Sequence, residues 1–69
     1  MEQLELGVAG MRCVACEQRI QRALATVDGV LRSTADHRAA RVTVIFDPVR
    51  TSAEAVQNRI TQAGYEVAT

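Results

Sequence analysis

Tryptophan and lysine are missing from this 69-residue chain, and phenylalanine, tyrosine, proline and histidine occur once each. With so few aromatics, Leu, Ile, Val and Ala must build the core. A chain of this length buries only about 60% of the surface its unfolded form exposes, so residues 1–69 are read as one small domain with a modest core. Formal net charge is zero, which gives no argument for a nucleic-acid or membrane-surface partner. All the basic residues are arginine, a bias read as genomic codon usage. No apolar run approaches the roughly 20 residues that cross a bilayer, so direct membrane insertion is not expected. Met1-Glu2-Gln3 offers neither a basic n-region nor an apolar h-region, so no signal peptide is read there and a cytoplasmic setting is expected. In that reducing compartment a structural disulfide is not expected.

What the chain has is two cysteines, both in Gly10-Met11-Arg12-Cys13-Val14-Ala15-Cys16. Leu4, Leu6 and Val8 alternate with polar residues up to this stretch, as in a half-buried strand. From Cys16 the period becomes helical, with Cys16, Ile20, Ala23, Leu24 and Val27 on one face and Glu17, Gln18, Gln21 and Arg22 elsewhere. The dithiol therefore sits at a strand-to-helix junction. Free N–H groups and the helix dipole favour negative charge there, which lowers a thiol pKa and supplies the thiolate that binds metals and attacks disulfides. The pair reads as a soft-metal site or a redox dithiol.

Asp28-Gly29 is expected to end the first helix. Val30, Leu31, Ser33 and Ala35 suggest an edge strand with small inward residues, and Asp36-His37-Arg38-Ala39 a hairpin turn. Val42, Val44 and Phe46 alternate in the strongest strand, which turns apolar on both faces and is placed centrally. Asp47-Pro48 breaks it. Thr51-Ser52-Ala53-Glu54 reads as a capping box with Thr51 as N-cap. Ala53, Val56, Ile60 and Ala63 form the buried stripe of a second helix that Gly64 ends, and Tyr65 to Ala68 is a short last strand. The order β-α-β-β-α-β packs most economically as an α+β, ferredoxin-like fold: a four-stranded antiparallel sheet with both helices on one face. That topology brings the cysteine loop, the turn at His37 and the Gly64-Tyr65 turn to one end.

With these landmarks the chain resembles the heavy-metal-associated domain family of bacterial copper chaperones, N-terminal modules of copper-transporting P-type ATPases, and mercury-binding proteins. The resemblance spans nearly the whole chain. It rests on Gly10-Met11-x-Cys13-x-x-Cys16, on Ile20, Ala23 and Leu24, on Gly29-Val30, on Val44-x-Phe46-Asp47-Pro48, and on Ile60 and Ala63-Gly64-Tyr65. Arg12 stands where the family usually has Thr. Ser33, Ala35 and His37 stand where it often has larger apolar residues.

The resemblance implies a metallochaperone that is not an enzyme. Cu(I) would be held by Cys13 and Cys16, with Hg(II) or another soft metal as the alternative. Two cysteines and one histidine cannot complete a four-ligand zinc site of Cys/His type, whereas two thiolates suit a soft two-coordinate ion. Cys16 should be partly shielded and Cys13 exposed. Met11 is expected to plug the core beneath the loop rather than to ligate. Tyr65 is implied as a shield beside a thiolate. His37 is weighed as an auxiliary or dimer-bridging ligand against an ordinary turn histidine. Arg12, Arg19 and Arg38 are candidates for a basic rim that steers an acidic partner. The expected partner is a copper-transporting P-type ATPase or a related metal-binding domain, with a metal-bridged homodimer also in view. Two readings compete: a domain cut from such an ATPase, and a thiol-disulfide oxidoreductase. The second is weakened because the only proline, Pro48, falls at the end opposite the cysteines.

Overall fold

The computed structural model describes residues 1–68. Its elements run β1 (Glu2–Ala9), α1 (Val14–Ala25), β2 (Val30–Asp36), β3 (Arg41–Phe46), α2 (Ala53–Gln62) and β4 (Glu66–Ala68). The strands form one sheet in the order β2-β3-β1-β4, every neighbour antiparallel. This is the ferredoxin-like arrangement, with β3 central and β2 at an edge as the sequence pattern predicts. α1 packs over β2 and α2 over β4, and the helices touch each other.

The register explains why the alternation is readable. Leu4 faces Val44 and Leu6 faces Val42 across β1 and β3, so the apolar residues of both strands share the helix-covered face. Leu6, Val8, Val42, Val44 and Phe46 meet Ile20 and Leu24 of α1 and Val56 and Ile60 of α2 in one core. Fully burying a side chain of this size contributes about 1.5–3 kcal/mol. Phe46, the only phenylalanine, lies at the end of the core away from the cysteines.

Four local readings change. α1 begins at Val14, two residues before the apolar period, and closes at Ala25 with Thr26 as C-cap; Val27 and Asp28 belong to the turn that follows. Leu31 is exposed because β2 bulges: Val30 pairs with Phe46 and Arg32 with Ile45, so Leu31 drops out of the alternation. The N-cap of α2 is Ser52, whose Oγ accepts the Ala55 N–H at 3.2 Å, which puts Glu54 in the second helical position. Thr51 is held instead in the preceding turn by its N–H to the Asp47 carbonyl, with its methyl against Gly29. β4 starts at Glu66, so Tyr65 precedes the strand.

Three connections converge at one end of the sheet. β1 ends in the cysteine loop, while Gly7 pairs with Arg41 at the start of β3 and Ala9 with Glu66 at the start of β4. The cysteine loop, the β2–β3 turn and the α2–β4 turn therefore surround one site.

Candidate metal centre

Gly10 lets the chain leave β1 at a positive φ of 92°, a conformation that costs glycine little. The ring of Tyr65 lies against it, since a Cβ at Gly10 would stand 3.7 Å from Tyr65 Cδ1. Met11 then turns inward and is buried in the core beneath the loop, where the sequence reading put it. Cys13 is the N-cap of α1, with extended backbone angles. Its carbonyl accepts the N–H groups of Cys16 at 3.1 Å and Glu17 at 3.2 Å, while its side chain caps nothing. Cys16 lies in the first helical turn and packs against the core.

The two sulfurs are 3.6 Å apart, and neither is in a disulfide. Cys13 is exposed and Cys16 half-buried, the asymmetry expected from their places in the sequence. Donors converge on the inner sulfur. The backbone amide of Arg12, the Tyr65 hydroxyl and the Cys13 thiol, in that order, lower the Cys16 pKa to about 7 against the opposing effect of burial. The lowered value brings Cys16 nearer to ionisation at neutral pH than an ordinary thiol.

Tyr65 is buried at this end, and its hydroxyl is a buried side-chain polar atom with no hydrogen-bond partner within ordinary distance. Interaction with Cys16 first, then burial, raises its pKa, while the nearby Arg19 lowers it. An unpartnered O–H facing a thiol of lowered pKa is suited to donate once that sulfur carries negative charge.

The structure brings Cys13, Cys16, Met11, Tyr65 and Arg12 into one loop-centred cluster, with Arg12 exposed and contributing its amide. Arg19 and Arg38 are exposed at the same end, and no ion pair engages Arg12, Arg19 or Arg38 among the described residues. His37 stands close by but is occupied: its backbone N–H and its ring Nδ1 each lie 2.6 Å from Glu17 Oε2. Those contacts lower the Glu17 pKa, the backbone hydrogen bond most. Glu17 was not singled out in the sequence, where the helical period places it off the buried face. The available signal was the topology, which sets His37 beside the start of α1.

Among the described residues no three His, Cys, Asp or Glu side chains gather closely enough to enclose a metal ion. The donor set is two thiols, which suits a soft ion of low coordination number and does not suit a closed four-ligand zinc cage.

The family description of the heavy-metal-associated domain matches residues 5–66. The copper-exporting P-type ATPase of Staphylococcus saprophyticus is 37% identical over 65 residues, which cover 94% of this chain and 8% of that protein. The chain thus spans less than a tenth of the length of the ATPase it matches. The CopZ metallochaperone superposes with a TM-score of 0.94 at 28% identity, covering 97% of this chain and 100% of that one. Oxidized MerP from Ralstonia metallidurans superposes with a TM-score of 0.90 at 28% identity, covering 97% and 93%.

Proposed function

The chain belongs to the heavy-metal-associated domain family, a family of metal-binding domains, and from that premise we propose that it carries Cu(I) on Cys13 and Cys16 and passes it to a partner by ligand exchange. The observation that carries this reading is an accessible dithiol with one thiol of lowered pKa and, among the described residues, no His, Asp, Glu or further Cys gathered with it. A linear two-coordinate ion sits between its ligands, so two sulfurs that hold one stand farther apart than two sulfurs in contact. The pair, at 3.6 Å, would open on loading, a movement open to the exposed Cys13.

Transfer then needs no enclosed cage. A partner thiolate attacks the two-coordinate ion, a three-coordinate bridged species forms, and the thiolates of this domain leave one at a time. Protein and metal are unchanged covalently otherwise, so the domain acts as a carrier and not as an enzyme. The natural recipient is a copper-transporting P-type ATPase or another domain of this kind, and the ATPase likeness supports that choice. It equally supports the reading that residues 1–69 are a module of such an ATPase. A thiolate carrier works where thiols stay reduced, which favours the cytoplasm. No helix of the described residues is long and apolar enough to cross a membrane. Two such faces could share one Cu(I) in a homodimer. The likeness to MerP supports a second reading, in which the same dithiol takes Hg(II).

The test is anaerobic titration of Cu(I) into the reduced protein against a chromophoric chelator. Tight binding of at most one copper per chain, lost in Cys13→Ser/Cys16→Ser, is the expected result. Failure to compete with the chelator would remove Cu(I) and turn attention to Hg(II). Retention of tight binding by the double variant would overturn the site itself.

A further inference from the structure

Glu17 follows Cys16 directly, yet its carboxylate is partly shielded from solvent and bonded to another segment. Its side chain is 19% exposed and that of His37 25%. One oxygen, Oε2, accepts the His37 backbone N–H and, when Nδ1 carries the proton, the ring N–H as well, each at 2.6 Å. The other two ion pairs among the described residues differ in kind: Arg41–Glu5 at 3.9 Å and Arg50–Asp28 at 3.6 Å join side chains more than half exposed. Short, charge-assisted and shielded contacts are the ones that fix geometry, whereas solvated pairs contribute little.

The start of α1 needs such a tie. A helix N-terminus leaves four N–H groups without intrahelical partners, and a capping side chain ordinarily secures the first of them. Here Cys13 supplies no side-chain cap; its carbonyl accepts the Cys16 amide and, as the first helical bond, the Glu17 amide. The Glu17 carboxylate instead joins the first turn to the β2–β3 turn, twenty residues away in the chain. Residues 16 and 17 share one helical turn, so holding Glu17 holds the Cys16 backbone. The Cys13 carbonyl is bonded to that turn, but its side chain is exposed and touches only its thiol neighbour, so the outer sulfur is the less restrained of the two.

We propose that Glu17 is a positioning residue whose two hydrogen bonds from His37 pin the first turn of α1, making Cys16 the anchored thiol and Cys13 the mobile one. The consequence for metal transfer rests on the function proposed above: Cys13 is then the sulfur that releases and recaptures the ion. The anchoring itself can be tested without metal.

The experiment is alkylation of the reduced, metal-free protein by a haloacetamide at alkaline pH, where both thiols ionise, with each site followed by peptide mass mapping. Glu17→Ala should raise the Cys16 rate several-fold and leave Cys13 near its wild-type rate. Glu17→Gln keeps an acceptor oxygen without the charge and should fall between. His37→Ala should raise the Cys16 rate, and adding it to Glu17→Ala should add nothing, since the two act through one contact. Thermal melts run alongside identify any variant that fails to fold, in which case Glu17→Gln and His37→Ala carry the comparison. An unchanged Cys16 rate, or equal increases at both cysteines, would overturn the proposal. Wild-type protein that binds no Cu(I) would defeat the functional reading and leave the alkylation result standing.

Discussion

Tyr65→Phe removes one oxygen atom that acts in two opposite directions. While Cys16 is a neutral thiol the hydroxyl is buried without a partner, and a polar group left so costs about 1–3 kcal/mol. Phenylalanine keeps the ring against Gly10 and the core, so the variant should gain about 1 kcal/mol, or roughly 4–8 °C in melting midpoint for a domain of this size. The same hydroxyl is the second-largest influence lowering the Cys16 pKa, after the Arg12 amide, so Cys16 should titrate higher in the variant. The sign of the pH effect follows from linkage. The folded Cys16 value of about 7 lies below its ordinary value of 9.0, so ionisation favours the folded state. That contribution is complete above pH 9, and is lost as pH falls to 7. The variant has less of it, so its advantage should be greatest at or below pH 7 and shrink as pH rises towards 9. The assay is a set of thermal melts across that range under reducing conditions, with thiolate absorbance titrations carried out with and without the Tyr65→Phe change in a Cys13→Ser background. A lower midpoint for the variant at every pH, with an unaltered Cys16 titration, would refute both parts of the reasoning.

Other substitutions probe the frame that holds the site. Gly29→Ala should cost about 2–4 kcal/mol in denaturant unfolding: at φ 102° its Cβ would stand 2.8 Å from Arg50 Cβ and 3.1 Å from Thr51 Cγ2, adding overpacking to the left-handed penalty. Gly64→Ala, at φ 98° with nothing within 4 Å, should cost only the conformational part, about 1–2 kcal/mol, and equal losses at the two sites would refute the steric account. Ala40→Gly should stabilise by about 0.5 kcal/mol, because Ala40 sits at φ 52° in the β2–β3 turn; a loss in the same unfolding assay would count against strain there. Ser52→Ala should cost about 1 kcal/mol of stability, since Ser52 and not Thr51 accepts the helix N–H, and a neutral outcome would return the cap to Thr51.

The fold was readable because burial is non-directional and leaves a period in the chain. Leu6, Val8, Val42 and Val44 announce two strands, and Ile20, Leu24, Val56 and Ile60 two helices, with no knowledge of their neighbours. The misreadings occur where a distant partner decides. Leu31 drops out of its alternation because β3 opposes two residues of β2 with one, a fact about pairing. Thr51 and Ser52 are both good N-caps, and the close approach of Gly29 takes Thr51 out of the choice. α1 starts early because a backbone carbonyl, that of Cys13, closes its first turn, and no residue type signals that. The same division runs through the site. The dithiol shows in the sequence because both thiols lie in one loop. The unequal exposure of the thiols shows there too, from their places in the loop and the helix, but the contacts that reinforce it do not: the Arg12 amide and the Tyr65 hydroxyl converge on Cys16, and the Glu17–His37 contact ties its helical turn to the β2–β3 hairpin. In the carrier role proposed above that difference would matter, since two equally held sulfurs would keep an ion and two equally free ones would lose it. Arg12, His37 and Tyr65 could be placed at this end from the loop and the topology, whereas the Glu17–His37 contact joins polar side chains twenty residues apart and outside any period, and so it comes into view only once the chain is folded.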